Sequence, residues 1–267
     1  MSPSSAGLGA DTLQDITSRD NPLLVRVRRL ARQGTYYRHD GAIWVEGEHL
    51  CDAARRRGRA ASQAVISESA WQRPALRDLA HWASRVARIS DRLFDGLSSL
   101  GSSTGLGFLV DMPEPPTLQS GRATVVLDRV QDAGNVGSIL RSASALGFGQ
   151  VVALEGTAGL WSTKVLRAGM GAHFALDLVE GAQHDTLASL GVPLVVASSH
   201  ATQALDTAAL PFPCAWVFGH EGQGVAAEVS ARCALALRIP QPGGEESLNV
   251  AAAAAICLFA TRSGRAP

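Results

Sequence analysis

The sequence predicts an α/β protein in two parts, a small α/β sandwich followed by a doubly wound parallel sheet. Three observations favour this fold class. Short apolar runs alternate with stretches of helical periodicity in both halves of the chain. After residue 122 these runs are continuous, which is typical of strands buried on both faces of a parallel sheet. Between the halves, the proline-rich segment MPEPPTLQSGR interrupts both patterns.

The first half is expected to begin with a flexible lead-in at residues 1–15, followed by a domain over residues 16–112 and a linker at 113–122. Apolar residues at helical spacing predict a helix over 21–31. Further helices are expected after residue 45, as far as Arg57, and over 74–83. Short apolar runs predict strands at 42–45, 64–66, 86–89 and 106–110.

The second half, residues 123–267, shows the clearer alternation. Its apolar runs predict strands at 124–127, 151–154, 194–197, 215–218 and 234–239. Its helices are expected to begin near Asn135, Thr163, Thr207, Val225 and Leu248. Repeated βα units predict a doubly wound sheet, and the ligand site of such a sheet lies beyond the carboxyl ends of its strands.

The charge of the chain is balanced overall but uneven along its length. Lysine and arginine together number 24, as do aspartate and glutamate. Between Arg19 and Arg59, however, ten arginines stand against five acidic residues. Such a segment can be a phosphate-facing patch or an ordinary solvated helix surface, and the pattern alone leaves both interpretations open.

Composition also indicates the cellular compartment of the protein and whether it holds a metal. The four cysteines are scattered without a CxxC pair, which favours buried free thiols in a reducing cytosol over a metal site or a disulfide framework. The N-terminus lacks the cationic start and apolar core of a signal peptide. The longest apolar run, 250–260, is too short to span a bilayer. We expect a cytoplasmic protein with no membrane association and no metal.

Three segments that follow predicted strands carry candidate chemistry. The first, residues 127–141, reads LDRVQDAGNVGSILR. Asn135 is well placed to cap the helix that follows, and Arg141 comes about two turns later. These two side chains can converge only if Asn135 belongs to the turn. The alternative is an ordinary capped helix with a surface arginine.

The second segment, WVFGHEGQGV at 216–225, places three glycines around Glu221 after a strand. Glycines let the backbone approach a ligand, although many βα turns are rich in glycine. The third segment, 237–250, is a strand, a Pro/Gly loop and an alanine-rich helix. Ser247 is a suitable N-cap. Asn249 is a poor helix former in the first turn, which indicates a site.

Other known signatures are missing or out of context. No GxGxxG follows a strand, and no GxxxxGK occurs. The segment GSSTG at 101–105 satisfies G-x-S-x-G, but it precedes a strand, whereas a serine-hydrolase elbow follows one. A hydrolase built on Ser103 is therefore disfavoured.

Taken in order, the three segments resemble the motifs of the SpoU (TrmH-type) RNA ribose 2′-O-methyltransferases of the SPOUT superfamily. The matching patterns are N-x-G-x-x-x-R at 135–141, G-x-E-x-x-G at 219–224 and I-P…S-L-N at 239–249. Residues 164–172 are similar too, with Gly169 where serine is common. The segments ITSRDNP at 16–22 and EGEHL at 46–50 more loosely resemble the RNA-binding domain that many of these enzymes carry.

The resemblance implies a trefoil-knotted C-terminal domain, a homodimer and an RNA substrate methylated with S-adenosyl-L-methionine. It implies that Gly219, Ile239 and Leu248 hold the cofactor, largely through backbone groups. The separate RNA-binding domain favours ribosomal RNA, with tRNA as the alternative. A non-catalytic RNA-binding protein on the same fold is the remaining possibility. The catalytic residues implied are Asn135, Arg141, Glu221, Ser247 and Asn249.

By family analogy, Arg141 activates the ribose hydroxyl. Because a guanidinium is nearly always protonated, we favour a role in holding the substrate phosphate and stabilising the developing alkoxide over a role as general base. For Glu221, structural support and direct participation remain equally open. His220, His173 and His200 are not expected to act as bases.

Overall fold

The computed structural model describes residues 13–98, 105–243 and 247–263. These residues form two compact units. The first comprises the described residues up to Pro113 together with Trp161–Thr163. The second comprises Glu114–Leu160 and the described residues from Lys164 onward.

The first unit is built on a mixed sheet. Its strands are β1 (Leu13–Ile16), β2 (Ala42–Glu46), β3 (Ala61–Ser67), β4 (Val86–Ile89) and β5 (Leu106–Asp111). Its helices are α1 (Pro22–Arg32), α2 (Tyr37–Asp40), α3 (Glu48–Arg56), α4 (Glu68–Trp71), α5 (Pro74–Ala80) and α6 (Asp91–Leu97). The strand order is β1-β4-β3-β5-β2, and β5 runs antiparallel to both of its neighbours.

The four strands predicted in this half are present, but the predicted lead-in at 1–15 is too long. Leu13 to Ile16 form β1, which pairs in parallel with β4. The sequence did not reveal this edge strand because only Ile16 is buried, so no apolar run marks it. Residues 1–12 and, apart from Gly105, the GSSTG segment lie outside the described residues.

The second unit is built on a parallel sheet. Its strands are β6 (Thr124–Asp128), β7 (Gln150–Leu154), β8 (Asp177–Ala182), β9 (Leu194–Ala197), β10 (Gln203–Ala204), β11 (Ala215–Gly219) and β12 (Leu235–Arg238). Its helices are α7 (Ala133–Ala145), α8 (Thr163–Gly169, whose first residue groups with the other unit), α9 (Ala227–Ser230) and α10 (Val250–Ser263). All of the strand pairings in this sheet are parallel.

The strand order β10-β12-β9-β11-β6-β7-β8 confirms the doubly wound prediction. From β6 the chain moves outward through β7 and β8, then returns to fill the other side of the sheet. Such a reversal separates the loops that follow two neighbouring strands, here β6 and β11. Asp128 and Gly219, the last residues of these strands, are partners in the register.

Three elements of the second unit differ from the prediction, and one of them is β10, which with two residues is too short to leave an apolar run. The helix expected to begin near Thr207 is wrong, because a short 3-10 turn, Leu205–Thr207, ends there. Strand β8 was not predicted, since its sequence DLVEGA mixes acidic residues and glycine with the apolar ones. It pairs with β7 at the edge of the sheet, where only one strand neighbour has to be satisfied.

Candidate active site

A cavity of about 600 Å³ lies where the loops after β9, β11 and β12 meet. It brings together most of the residues that the sequence singled out in the second and third segments. These are Gly219, Glu221, Ile239, Ser247, Leu248 and Asn249. Asn135 and Arg141 are not among the described residues that line the cavity. The wall also includes a stretch that sequence reasoning did not assign to the site, from Val196 at the end of β9 to His200 in the loop that follows.

Asn135 links all three segments through its side-chain amide. Its Nδ2 donates to Oε1 of Glu221 at 3.1 Å, and its Oδ1 accepts from Nδ2 of Asn249 at 2.9 Å. Both ends of the amide are therefore used. Because Glu221 and Asn249 line the cavity, this hydrogen-bonded chain holds the start of α7 beside it.

The helix caps differ from the sequence prediction. Asn135 was expected in the turn as the cap of α7, but α7 begins at Ala133 and the Asp132 carboxylate accepts the Asn135 N–H at 2.8 Å. Asn135 thus lies in the first helical turn. Its hydrogen-bonding capacity is free for other segments because Asp132, an equally good capping residue, takes that role.

At α10 the capping contacts seen belong to Asn249 and not to Ser247. The Oδ1 atom of Asn249 accepts the N–H groups of Ala251 and Ala252, at 2.9 and 3.3 Å. Asn249 therefore lies before the helix, which removes the conflict with its poor helix propensity. Ser247 is exposed in the cavity wall, and its hydroxyl makes no hydrogen bond to another described residue.

Glu221 is held as an ionised acceptor. Besides Asn135, it accepts the N–H groups of Asp132 at 3.0 Å and Gln131 at 3.3 Å. Burial raises the pKa of the Glu221 carboxyl, but these hydrogen bonds outweigh burial and leave the pKa below its ordinary value. A carboxylate that accepts from three N–H groups orients the loops, and its lone pairs are largely occupied.

Arg141 projects from α7 six residues after Asn135. At about 100° per residue, the two side chains leave the helix in directions roughly 120° apart. The expectation that they converge through a turn is therefore wrong for this chain, because both lie within the helix. Arg141 is exposed and makes no hydrogen bond or ion pair with the described part of the chain, so its charge is available to a ligand.

Gly219, the last residue of β11, must be glycine because the backbone of the following loop packs directly against it. A Cβ on Gly219 would lie 2.3 Å from the backbone carbon of Gly224 and the nitrogen of Val225, so no other residue fits there. Within the loop, Nδ1 of His220 accepts the N–H groups of Gly222 and Gln223, at 2.9 and 3.2 Å. The turn is thus closed on itself by its own hydrogen bonds.

The wall of the cavity suits a polar organic ligand. The Oε1 atom of Gln241 is buried and has no hydrogen-bond partner among the described residues. A buried acceptor without a donor is costly, and a ligand N–H or O–H would remove that cost. The apolar side chains of Phe218, Leu237 and Val250 line the same space, as expected for a mixed polar and apolar cofactor site.

Comparison with known proteins identifies the relationship that these motifs indicate. The model of the SpoU rRNA Methylase family matches residues 122–259, which include all three segments. The chain belongs to this family. Its resemblance to SpoU enzymes is thereby confirmed over the second unit, which carries the cavity and the Asn135 contacts.

Relatives of this SpoU family chain extend over both units. It is 30% identical over 265 residues to an uncharacterized tRNA/rRNA methyltransferase of Synechocystis, with 94% of each chain covered. It is 29% identical over 221 residues to the 23S rRNA (guanosine(2553)-2′-O)-methyltransferase RlmP of Bacillus subtilis, covering 82% of this chain and 87% of the relative. A crystal structure of an RNA 2′-O ribose methyltransferase superposes with a TM-score of 0.79 at 27% identity, covering 93% and 98% of the two chains.

Two further findings concern the described residues. No helix among them is long and apolar enough to cross a membrane. No group of three or more His, Cys, Asp or Glu side chains in the same ranges is arranged to hold a metal ion.

Proposed function

We propose that this chain methylates the 2′-hydroxyl of a ribose in RNA, with ribosomal RNA as the substrate and S-adenosyl-L-methionine as the methyl donor. The observation that carries the proposal is the Asn249–Asn135–Glu221 chain of hydrogen bonds, which joins the three SpoU motif segments beside one cavity. Family membership and the 2′-O-methyltransferase activities named for its relatives support the same reaction.

The cavity has the size and lining of a small-molecule site, which commonly measures about 300–1,000 Å³. In the proposal, Gly219, Ile239 and Leu248 hold S-adenosyl-L-methionine, chiefly by their backbone groups. When bound, this cofactor supplies an electrophilic methyl group on a sulfonium. The closed turn after β11 and the unpartnered acceptor of Gln241 fit a ligand with several hydrogen-bonding groups.

The residues of the chain then act mainly by position, which can account for a large part of a transfer rate. Asn135 and Asn249 fix the two loops relative to each other, and Glu221 holds Asn135. Ser247 presents a hydroxyl at the cavity wall that is available to the ribose. Arg141 binds the substrate phosphate and stabilises the alkoxide as it forms, because its guanidinium has no carboxylate partner among the described residues.

The first unit, whose predicted bounds were 16–112, is proposed to bind the RNA. Several arginines of its basic segment are engaged by carboxylates: Arg26 pairs with Asp40, and Arg55 and Arg56 pair with Asp52. Three of the other arginines, which we take as the candidates, lie on α1. Their hydrogen-bond partners are neutral groups, so their charges are available for phosphates. They are Arg28, which donates to Arg19 O, Arg29, which donates to Tyr36 Oη, and Arg32, which donates to Gly96 O.

These three arginines share one face of α1. At about 100° per residue, Arg28 and Arg32 are about 40° apart around the helix, and Arg29 lies within 100° of both. The opposite face is occupied by Leu24, Val27, Leu30 and Ala31, which are buried. This stripe of three cations is the surface that we assign to the RNA backbone.

A homodimer, a C-terminal trefoil knot and a cytoplasmic location complete the proposal. Ile256 and Phe259 of α10 are 40% and 61% exposed, three residues apart on one helical face, and a second copy would cover them. The knot follows from the SpoU relationship. The four cysteines are free thiols, which fits a reducing compartment.

The decisive experiment measures transfer of labelled methyl groups from S-adenosyl-L-methionine to RNA from cells that lack this gene. Ribosomal RNA and tRNA are assayed separately, since the Synechocystis relative is named for both. Label in rRNA that maps to a ribose and is lost with Arg141→Ala supports the proposal. Label confined to tRNA replaces the substrate by the alternative. No label, from a protein that binds RNA but no cofactor, leaves the non-catalytic interpretation.

A further inference from the structure

Arg129 has an unusual backbone conformation at the point where β6 ends. Its φ is 58°, and among the described residues only one other non-glycine residue, Met170, has a positive φ. L-residues adopt this left-handed region at a cost in free energy, so the surrounding structure must hold Arg129 there. Part of that support is Thr157, whose hydroxyl accepts the Arg129 N–H at 3.1 Å and donates to Leu127 O at 3.0 Å.

The guanidinium of Arg129 is anchored by the preceding residue. Asp128 is 3% exposed, and its carboxylate accepts from Nε of Arg129 at 3.0 Å and from a terminal nitrogen at 3.2 Å. This hydrogen bond raises the pKa of Arg129 above its ordinary value, so the guanidinium keeps its charge. Neighbouring residues in extended backbone point to opposite sides of a strand. The left-handed turn at Arg129 lets the side chains of Asp128 and Arg129 contact the same loop.

From this anchor, both residues reach the loop that lines the cavity. Arg129 donates from one terminal nitrogen to Gln223 Oε1 at 3.0 Å and from the other to Gly224 O at 3.4 Å. Asp128 accepts the N–H of Ala226 at 2.6 Å. Gln223 and Gly224 form part of the cavity wall, whereas Asp128 and Arg129 do not line it.

We propose that Asp128 and Arg129 are positioning residues that hold the loop 219–226 in its cofactor-binding shape before the cofactor arrives. This inference rests on the proposed function, since it assigns the cavity to S-adenosyl-L-methionine. A loop that is ordered in advance loses less conformational entropy on binding, which favours affinity. We call this pair and its hydrogen bonds to the loop the clasp. Asp128, Arg129 and Asn135 all lie at or shortly after the end of β6, so this one segment positions both the loop after β11 and the Asn135 side chain.

Single variants separate the clasp from the backbone strain. Arg129→Ala removes the guanidinium and keeps the unfavourable φ, whereas Arg129→Gly removes both. Gln223→Ala removes one contact on the loop side and leaves the buried carboxylate untouched. Arg122→Ala is the matched control, because it breaks a half-exposed ion pair with Asp177 in the same unit and its side chain does not line the cavity.

Two readouts are measured on the full chain. The first is the dissociation constant for S-adenosyl-L-methionine by calorimetry, and the second is hydrogen exchange of the amides at 219–226 without cofactor. Both Arg129 variants should raise the dissociation constant about ten- to a hundredfold, the factor expected for loss of a charge-assisted hydrogen bond. They should also speed exchange in the loop, with a smaller effect for Gln223→Ala and none for Arg122→Ala.

Outcomes for the clasp and for the proposed function are distinct. If both Arg129 variants bind cofactor like the unaltered protein and their loops exchange no faster, the clasp is overturned. If only Arg129→Ala is impaired, the clasp is overturned too, and the backbone conformation accounts for the effect. If the unaltered protein binds no S-adenosyl-L-methionine, the proposed function fails. In that case loop exchange still decides whether Asp128 and Arg129 hold the loop.

Discussion

Asn249 donates a hydrogen bond of 2.9 Å to Asn135 across 114 positions of the chain. Each of the two side chains has a second task, Asn249 at the start of α10 and Asn135 with Glu221. The pair therefore ties the first turn of α7 to the entrance of α10. The contact fixes the N-terminal ends of two helices that also pack against each other along their length.

Replacing Asn135 by alanine should reduce methyl transfer about tenfold or more, because Glu221 and Asn249 both lose their partner. The effect should appear in the single-turnover rate with cofactor and RNA at saturation. Ser142→Ala is the control on the same helix, since that hydroxyl donates only to Ser138 O one turn earlier. Equal methyl-transfer rates for the two variants would show that Asn135 has no role in the site.

Arg141→Ala should lower the transfer rate by about a hundredfold or more without lowering the melting temperature, because the side chain is exposed and makes no ion pair within the described ranges. Single-turnover kinetics and thermal unfolding test the two parts. Arg141→Lys distinguishes the roles. A stabilising cation keeps part of the rate with an unchanged pH profile, whereas a general base shifts the basic limb of that profile.

Stability at acid pH should depend on Glu221. Its pKa is lowered in the folded protein, so its contribution to stability is present above the ordinary pKa of a glutamate, about 4.3, and is lost as the pH falls through the folded value. The melting temperatures of the unaltered protein and Glu221→Gln should therefore differ at neutral pH and approach each other as the pH falls below about 4.3. A difference that persists unchanged at pH 3 would contradict this.

The effects of substitutions at Gly169 and His173 on the free energy of unfolding should be coupled. A Cβ at Gly169 would lie 2.5 Å from Cε1 of the fully buried His173 ring, so Gly169→Ser should destabilise the fold by about 1–3 kcal/mol. Burial lowers the pKa of His173 to about 4, which keeps the ring neutral. In a double-mutant cycle with His173→Ala, the combined loss should be smaller than the sum of the single losses. Gly34→Ser, where nothing lies within 4 Å, is the control.

The arginine stripe of α1 should govern RNA affinity through charge. Removing Arg28, Arg29 and Arg32 together should weaken binding and lower the slope of log K against log salt by roughly two to three. Fluorescence anisotropy at several salt concentrations measures both. The variant Arg73→Ala removes a charge already paired one-to-one with Glu48 and should change little. An equal loss in this control would place the RNA elsewhere.

The sequence predicted the strands of the parallel sheet because burial on both faces leaves a local record, a continuous apolar run. Residues 124–127 and 215–218 are such runs, and every residue of the two strands that contain them is buried. Where a strand is buried on one face only, or only slightly, its sequence shows no such run. Leu13–Ile16 and Asp177–Ala182 are edge strands and were missed for that reason.

The candidate residues were chosen by their order and spacing, and the structure places six of them around the cavity. The sequence predicted the roles of the individual residues less well. Asn135 and Ser247 were assigned caps that belong to Asp132 and Asn249. Any of these side chains can cap a helix, so propensity could not choose among residues within three positions of each other.

By itself, therefore, the sequence determined the two-part α/β organisation, the three polar segments after strands and the family to which the chain belongs. Only the tertiary structure decided that Asp128 lies beside Gly219, that Arg129 clasps the loop of Gln223 and that Asn135 meets Asn249. The physical reason is range. Periodicity and propensity report on neighbours along the chain, whereas these contacts depend on strand order and register between residues about a hundred positions apart.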